Sequence, residues 1–236
     1  WEVLDQGVLS LLGVMRREEF VPPAYRALAF IDTEVPLGEG QTMLAPRVEA
    51  RLLQEVRLQP QDSVLEVGAG SGFMAALLAH QAQRVVTLEL RPALAAMARA
   101  NLQRAGVSNA EVIEGSGAAG FAARAPFDAV VLSGSVADVP AALLAQLKIG
   151  GRLIAIVGQE PVMRAVLVTR VADQQYKRVE LFDTVAPRLE GFGEPTRLAF
   201  QAASVPLRVP GRRRQLSSAP TCNSGPTLAS KPMIAR

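Results

Sequence analysis

"VLEVGAGSGF", Val64 to Phe73, reads as a short apolar strand, a glycine-dense turn and the first turn of a helix. Glycine lacks a Cβ, so a ligand can approach bare backbone at such a turn. A dinucleotide fingerprint needs G-x-G-x-x-G. Here the glycines are Gly68, Gly70 and Gly72, and Phe73 stands where the third would fall. A phosphate-binding P-loop needs a lysine that this turn lacks. Two carboxylates complete the pattern: Glu66 lies two residues before the first glycine, and Glu89 ends the next apolar run. A carboxylate at the tip of the second strand accepts hydrogen bonds from ribose hydroxyls. Together these features point to a nucleoside without a pyrophosphate.

Outward from this turn, strand and helix signals alternate. Strands are expected at 63–67, 84–90, 110–115, 127–134 and 150–158, and helices at 46–57, 72–82, 92–105 and 139–147. Pro46 suits the first turn of its helix. Nearly continuous apolar strands separated by amphipathic helices imply a parallel sheet covered on both faces. After Pro161 the pattern changes. "MRAVLVTRV" and "YKRVELFDTV" flank the short polar "ADQQ", which predicts an antiparallel hairpin, and "TRLAFQA" is a candidate for one more strand. The expected fold is α/β: a doubly wound three-layer αβα sandwich around a mostly parallel seven-stranded sheet with a C-terminal antiparallel hairpin. Residues 2–30 look helical, interrupted by Pro22 and Pro23.

The expected organisation is a helical segment and substrate-side loop (1–45), a cofactor-binding domain (46–202) forming one globular unit with it, and a basic disordered tail (203–236). With 236 residues, 49% of them hydrophobic, the chain can build one sizeable core. The formal charge of +3 is misleading. The tail holds six Lys/Arg and no acid, which leaves 19 basic against 22 acidic residues, a net of −3, for the rest. The high isoelectric point is therefore no evidence for nucleic-acid binding. One cysteine, Cys222, excludes a disulfide framework, and one histidine, His80, argues against a histidine-built metal site. His80, two turns into its helix, reads as a surface or satisfied helix residue. No apolar run predicts a membrane span and no signal peptide is visible. A cytoplasmic monomer is expected.

"VLEVGAGSG" followed by a strand-final acid such as Glu89 resembles the S-adenosylmethionine (SAM) site of class I methyltransferases. "MRREEFVPPAYRALAFIDTEVPLGEGQTMLAP", "APFDAVVLSGSVADVPAALLAQLKIGGRLIAIVG" and the late "TVAPRLEGF" resemble protein-L-isoaspartate O-methyltransferases. The resemblance covers roughly residues 14–200. It implies SAM as cofactor, S-adenosylhomocysteine as product, and damaged protein or peptide as substrate. It also implies a cofactor site at Glu66, Gly68, Ala69, Gly70, Ser71, Gly72, Glu89, Leu90, Ser116 and Gly117. The substrate side falls at Gln41, Thr42, Leu44, Pro46 and Pro187. No metal is implied.

The chain departs from that family in three places. The serine of G-Q-T-I-S-x-P, credited with the catalytic role, is Leu44 in "GQTMLAP", which leaves Thr42 as the hydroxyl nearby. The acid of the usual Gly-Asp-Gly is Ser116, and the usual V-P-L-T reads "APRL", Ala186 to Leu189. The alternatives to isoaspartyl methylation are thus a methyltransferase for another acceptor, such as a small apolar molecule, and a catalytically weakened SAM-binding protein. A carboxylate acceptor is already ionised at neutral pH and needs positioning rather than a base, which fits a chain with one distant histidine.

Overall fold

The computed structural model describes residues 3–193. The expected tail and the candidate strand "TRLAFQA" lie outside the described residues. Within them, the sequence-based alternation is realised almost element for element. A small antiparallel hairpin, β1 (Val35–Gly38) and β2 (Gln41–Met43), precedes helix α2 (Pro46–Val56), itself preceded by α1 (Gln6–Val14). Then come β3 (Ser63–Val67), α3 (Phe73–Gln81), β4 (Arg84–Glu89), α4 (Pro92–Arg104), β5 (Ala110–Glu114) and β6 (Phe127–Val136). The short α5 (Ala141–Leu144) leads into β7 (Leu147–Gln159), β8 (Val162–Ala172) and β9 (Gln175–Thr184).

The seven-stranded sheet has the order β5-β4-β3-β6-β7-β8-β9. Strands β3 to β7 run parallel, and β8 and β9 fold back as antiparallel ribbons. The chain winds outward from β3 to β5 and then returns to β6 on the other side of β3. This order reverses at the carboxyl ends of β3 and β6, the place where open α/β sheets hold ligands.

Every residue of β3 is buried, as expected for a central strand covered on both faces. Alternate residues point into two cores. Val64, Val131 and Ile154 face a large core with α2, α3 and the N-terminal segment, including Val8 and Phe20. Leu65, Val130 and Leu153 face a smaller core with Leu143, Phe121 and Phe192.

Two expectations are trimmed. The helical reading of residues 2–30 holds for α1 alone. Met15 ends it in extended backbone, and only short 3-10 turns follow at Arg17–Glu19 and Pro23–Leu28. Pro22 and Pro23 cannot continue an α-helical ladder. The helix expected over 139–147 is four residues long, because Leu147 already pairs with Phe127 as β7 begins. No described helix is long and apolar enough to cross a membrane.

Candidate active site

The turn after β3 is shaped by glycine. Gly68, Gly70 and Gly72 have φ of 94°, 52° and 83°, a region L side chains rarely adopt. Gly68 and Ala69 donate their N–H groups to the Leu88 carbonyl at 2.9 and 3.2 Å, and Gly72 donates to the Ala69 carbonyl at 2.7 Å. The turn is thereby tied to β4 before α3 starts. A side chain on Gly72 would press on the Ala98 backbone of α4 at 3.2 Å. Gly117, on the loop after β5, packs so closely on β3 that a Cβ would clash with Val67 Cγ1.

Glu89 closes this cradle. It is buried at the end of β4, where Oε2 accepts from the Gly70 N–H at 2.8 Å and Oε1 from the Arg91 N–H at 3.0 Å. Each carboxylate oxygen has two acceptor positions, so each keeps one for a ligand hydroxyl. Leu90 beside it is 41% exposed and offers an apolar surface.

A pocket opens here, lined by Gly68, Gly70, Glu89, Leu90, Gly115 and Gly117, with Gln41 and Thr42 from the hairpin and Leu189, Glu190 and Phe192 from the late loop. An inner recess is lined by Leu37, Met43, Leu44, Glu49, Ala69, Ser71 and Met74. Thr42, Gly68, Gly70 and Ser133 line both, so they mark where the two meet.

The recess is flanked by buried acids. Glu66 is fully buried and its Oε1 accepts from the Ser133 hydroxyl at 2.6 Å. Burial pushes its carboxyl up to about 8, against the pull of the Ser133 hydroxyl and helped by the charges of Glu49 and Glu89. Its Oε2 has no hydrogen-bond partner among the described residues. Burial also raises Glu49 to about 7, opposed by Arg17 beside it. The Thr42 hydroxyl donates to Glu34 Oε2 at 3.0 Å.

The late loop reaches the pocket by docking on β6. Ser135 donates its N–H to the Pro187 carbonyl at 2.7 Å and accepts from the Leu189 N–H at 2.9 Å. This lays Leu189 against the turn, so that a Cβ on Gly68 would come within 2.8 Å of its Cδ2. Across the mouth, Arg91 pairs with Glu190 at 2.6 Å and with Glu39 at 3.5 Å, and Gln41 Nε2 donates to Glu190 at 3.2 Å.

A narrow glycine-lined cradle, a strand-final carboxylate with free acceptor positions and an exposed leucine suit a nucleoside that approaches bare backbone. A profile of the protein-L-isoaspartate(D-aspartate) O-methyltransferase family matches residues 2–185. The chain belongs to this family. A protein-L-isoaspartate O-methyltransferase of Koribacter versatilis is 40% identical over 181 residues, covering 77% of this chain and 81% of that one. One from Rhodopseudomonas palustris is also 40% identical, covering 82% and 90%. Among solved structures, a protein-L-isoaspartate O-methyltransferase superposes with a TM-score of 0.71 at 24% identity, over 80% of this chain and 62% of that one. A Plasmodium falciparum homologue in complex with S-adenosyl-L-homocysteine gives 0.70 at 21% identity, over 79% and 91%. Both carry the fold.

For this family member, most residues singled out from sequence converge. Gly68, Gly70, Glu89, Leu90, Gly117, Gln41 and Thr42 line the pocket, and Ala69, Ser71 and Leu44 line the recess. Glu66 lies beneath it through Ser133. Gly72 shapes the turn without lining it. Three others stand back. Ser116 is exposed, its hydroxyl accepting from the Ala118 N–H at 3.4 Å, while Gly115 and Gly117 on either side line the pocket. Pro46 begins α2, and Pro187 acts through its carbonyl. His80 is exposed near the end of α3, away from both cavities. Sequence reasoning missed Ser133, Arg91, Glu190 and Phe192 as lining residues, and the buried pair of Arg17 with Glu49.

Proposed function

We propose that the chain transfers the methyl group of SAM to the free carboxylate of L-isoaspartyl residues in damaged proteins. The observation that carries this reading, within the family match, is the junction of pocket and recess at Thr42, Gly68, Gly70 and Ser133. Among the described residues, neither cavity is lined by a histidine or lysine. A carboxylate nucleophile needs no base, only orientation and removal of water.

Bound SAM supplies a methyl group on a sulfonium, ready for in-line displacement. Glu89 would hold the ribose hydroxyls, Leu90 would pack against the base, and the turn from Gly68 to Gly72 would accommodate the methionine end. Leu37, Leu44 and Leu189 exclude water around the junction. Thr42, turning from Glu34, donates to the acceptor carboxylate. Transfer of that methyl group to an acceptor oxygen would leave a methyl ester and S-adenosylhomocysteine. The proposal includes a monomer acting in the cytoplasm.

Leu44 and Leu189 favour a second reading. Both are apolar where the family resemblance implies hydroxyls, which suits a small apolar acceptor. Labelled SAM, offered with an isoaspartyl peptide and with its ordinary aspartyl counterpart, separates the two. Label on the isoaspartyl peptide alone supports the proposal. Tight binding of S-adenosylhomocysteine with no label on either peptide refutes it.

A further inference from the structure

Arg17 and Glu49 form an ion pair in which each side chain is 4% exposed, and the chemistry above does not use it. Arg17 donates through one terminal nitrogen to Glu49 and through the other to the Leu44 carbonyl at 2.7 Å. Its Nε donates to the Ala29 carbonyl at 2.8 Å, and its guanidinium lies over the Phe73 ring, 4.9 Å from the centroid. One side chain thus joins the N-terminal segment, the end of β2, helix α2 and the start of α3.

Stability alone is a poor reason for this arrangement, because desolvating two charges offsets much of their attraction. The placement of its partners is more informative. Leu44 lines the recess, and Phe73 directly follows the glycine turn. The β1–β2 hairpin forms a two-stranded sheet of its own, and an isolated hairpin is marginal in water. At its tip, Glu39 is tied down by an ion pair in which it is 51% exposed, and such a pair contributes little. The Leu44 carbonyl is held from inside by a planar fork with several simultaneous partners, which lysine cannot imitate.

We propose that Arg17 is a positioning residue for methyl transfer, fixing the Thr42–Leu44 segment against the Gly68–Gly72 turn, with Glu49 orienting the guanidinium. The consequence for turnover rests on the isoaspartyl reading. The ordering of the segment does not.

The test uses two variants of the full chain. Arg17→Lys keeps a charge opposite Glu49 but loses the fork. Arg17→Met combined with Glu49→Leu removes both charges and should keep or raise the melting temperature. In both, kcat/KM for an isoaspartyl peptide should fall roughly tenfold to a hundredfold, the scale of a misplacement near 1 Å. The Kd for S-adenosylhomocysteine should stay within about twofold, since the cradle is untouched. Hydrogen exchange should speed up at amides 41–45 and stay unchanged at 64–67. If the double variant regains peptide activity together with its melting temperature, Arg17 is a structural residue only. Unchanged exchange at 41–45 also overturns the proposal. If the wild type methylates no isoaspartyl peptide, the functional reading fails, and the exchange comparison still decides this one.

Discussion

Replacing Glu66 by glutamine removes a titrating proton from the centre of the sheet. In the folded chain burial holds this carboxyl at about 8, against 4.5 for an exposed glutamate. Below 4.5 both folded and unfolded states carry the proton, and burial costs nothing extra. Between 4.5 and about 8 only the unfolded state releases it, so stability falls as pH rises through that window. Above 8 the loss is complete. At about 1.4 kcal/mol per pH unit, the gap from 4.5 to about 8 sets an upper limit near 5 kcal/mol. Glutamine does not titrate. Its oxygen can still accept from Ser133, and its amide can donate to the Thr87 hydroxyl, which has no hydrogen-bond partner among the described residues. If only a third of the limit is realised, roughly 1–2 kcal/mol, Glu66→Gln melts about 2–8 °C above wild type at high pH. The assay is thermal unfolding at about pH 5 and about pH 9, where the linkage is weakest and strongest. The variant's advantage should grow with pH. A difference that stays constant between the two pH values refutes a neutral, buried Glu66.

Gly72→Ala places a Cβ at φ 83° against the Ala98 backbone and should cost roughly 1–3 kcal/mol in urea unfolding; an unchanged midpoint contradicts the packing described. Glu89→Ala removes the proposed ribose acceptor and should weaken S-adenosylhomocysteine binding by roughly 1.5–3 kcal/mol in calorimetry, and equal affinity would remove Glu89 from the site. Leu44→Ser should raise turnover on an isoaspartyl peptide by about tenfold or more, while truncating a buried leucine lowers stability by roughly 2–5 kcal/mol. Assayed well below the melting temperature, flat peptide activity with intact cofactor binding would favour the apolar-acceptor reading.

The sheet was readable because burial on both faces forces near-continuous apolar strands, as in "SVLEV" and "FDAVVL", and glycine turns punctuate them. The cradle was readable because glycine and a strand-final carboxylate have few other uses in that order. The rest was hidden for definite reasons. Arg17 and Glu49 carry the same letters as solvated charges, and only the fold shows that they meet 32 residues apart in the core. Ser133 looks like ordinary strand punctuation until Glu66 is placed beneath it. Leu189, Glu190 and Phe192 reach the pocket through a loop pinned by Ser135, and a loop has no periodicity to betray its direction.

The pocket draws on residues from Gln41 to Phe192. During synthesis, a nascent chain that has just completed β5 already contains the glycine turn and Glu89, but not Ser133, Leu189 or Glu190. Its central strand is also incomplete, because β3 pairs with β4 on one side and with β6 on the other. Until residues 127–136 emerge, β3 is an open, apolar edge of the kind that recruits other chains. The cofactor therefore has no finished pocket to enter until nearly all of the described chain has left the ribosome. Bound cofactor should rescue late folding defects far better than early ones.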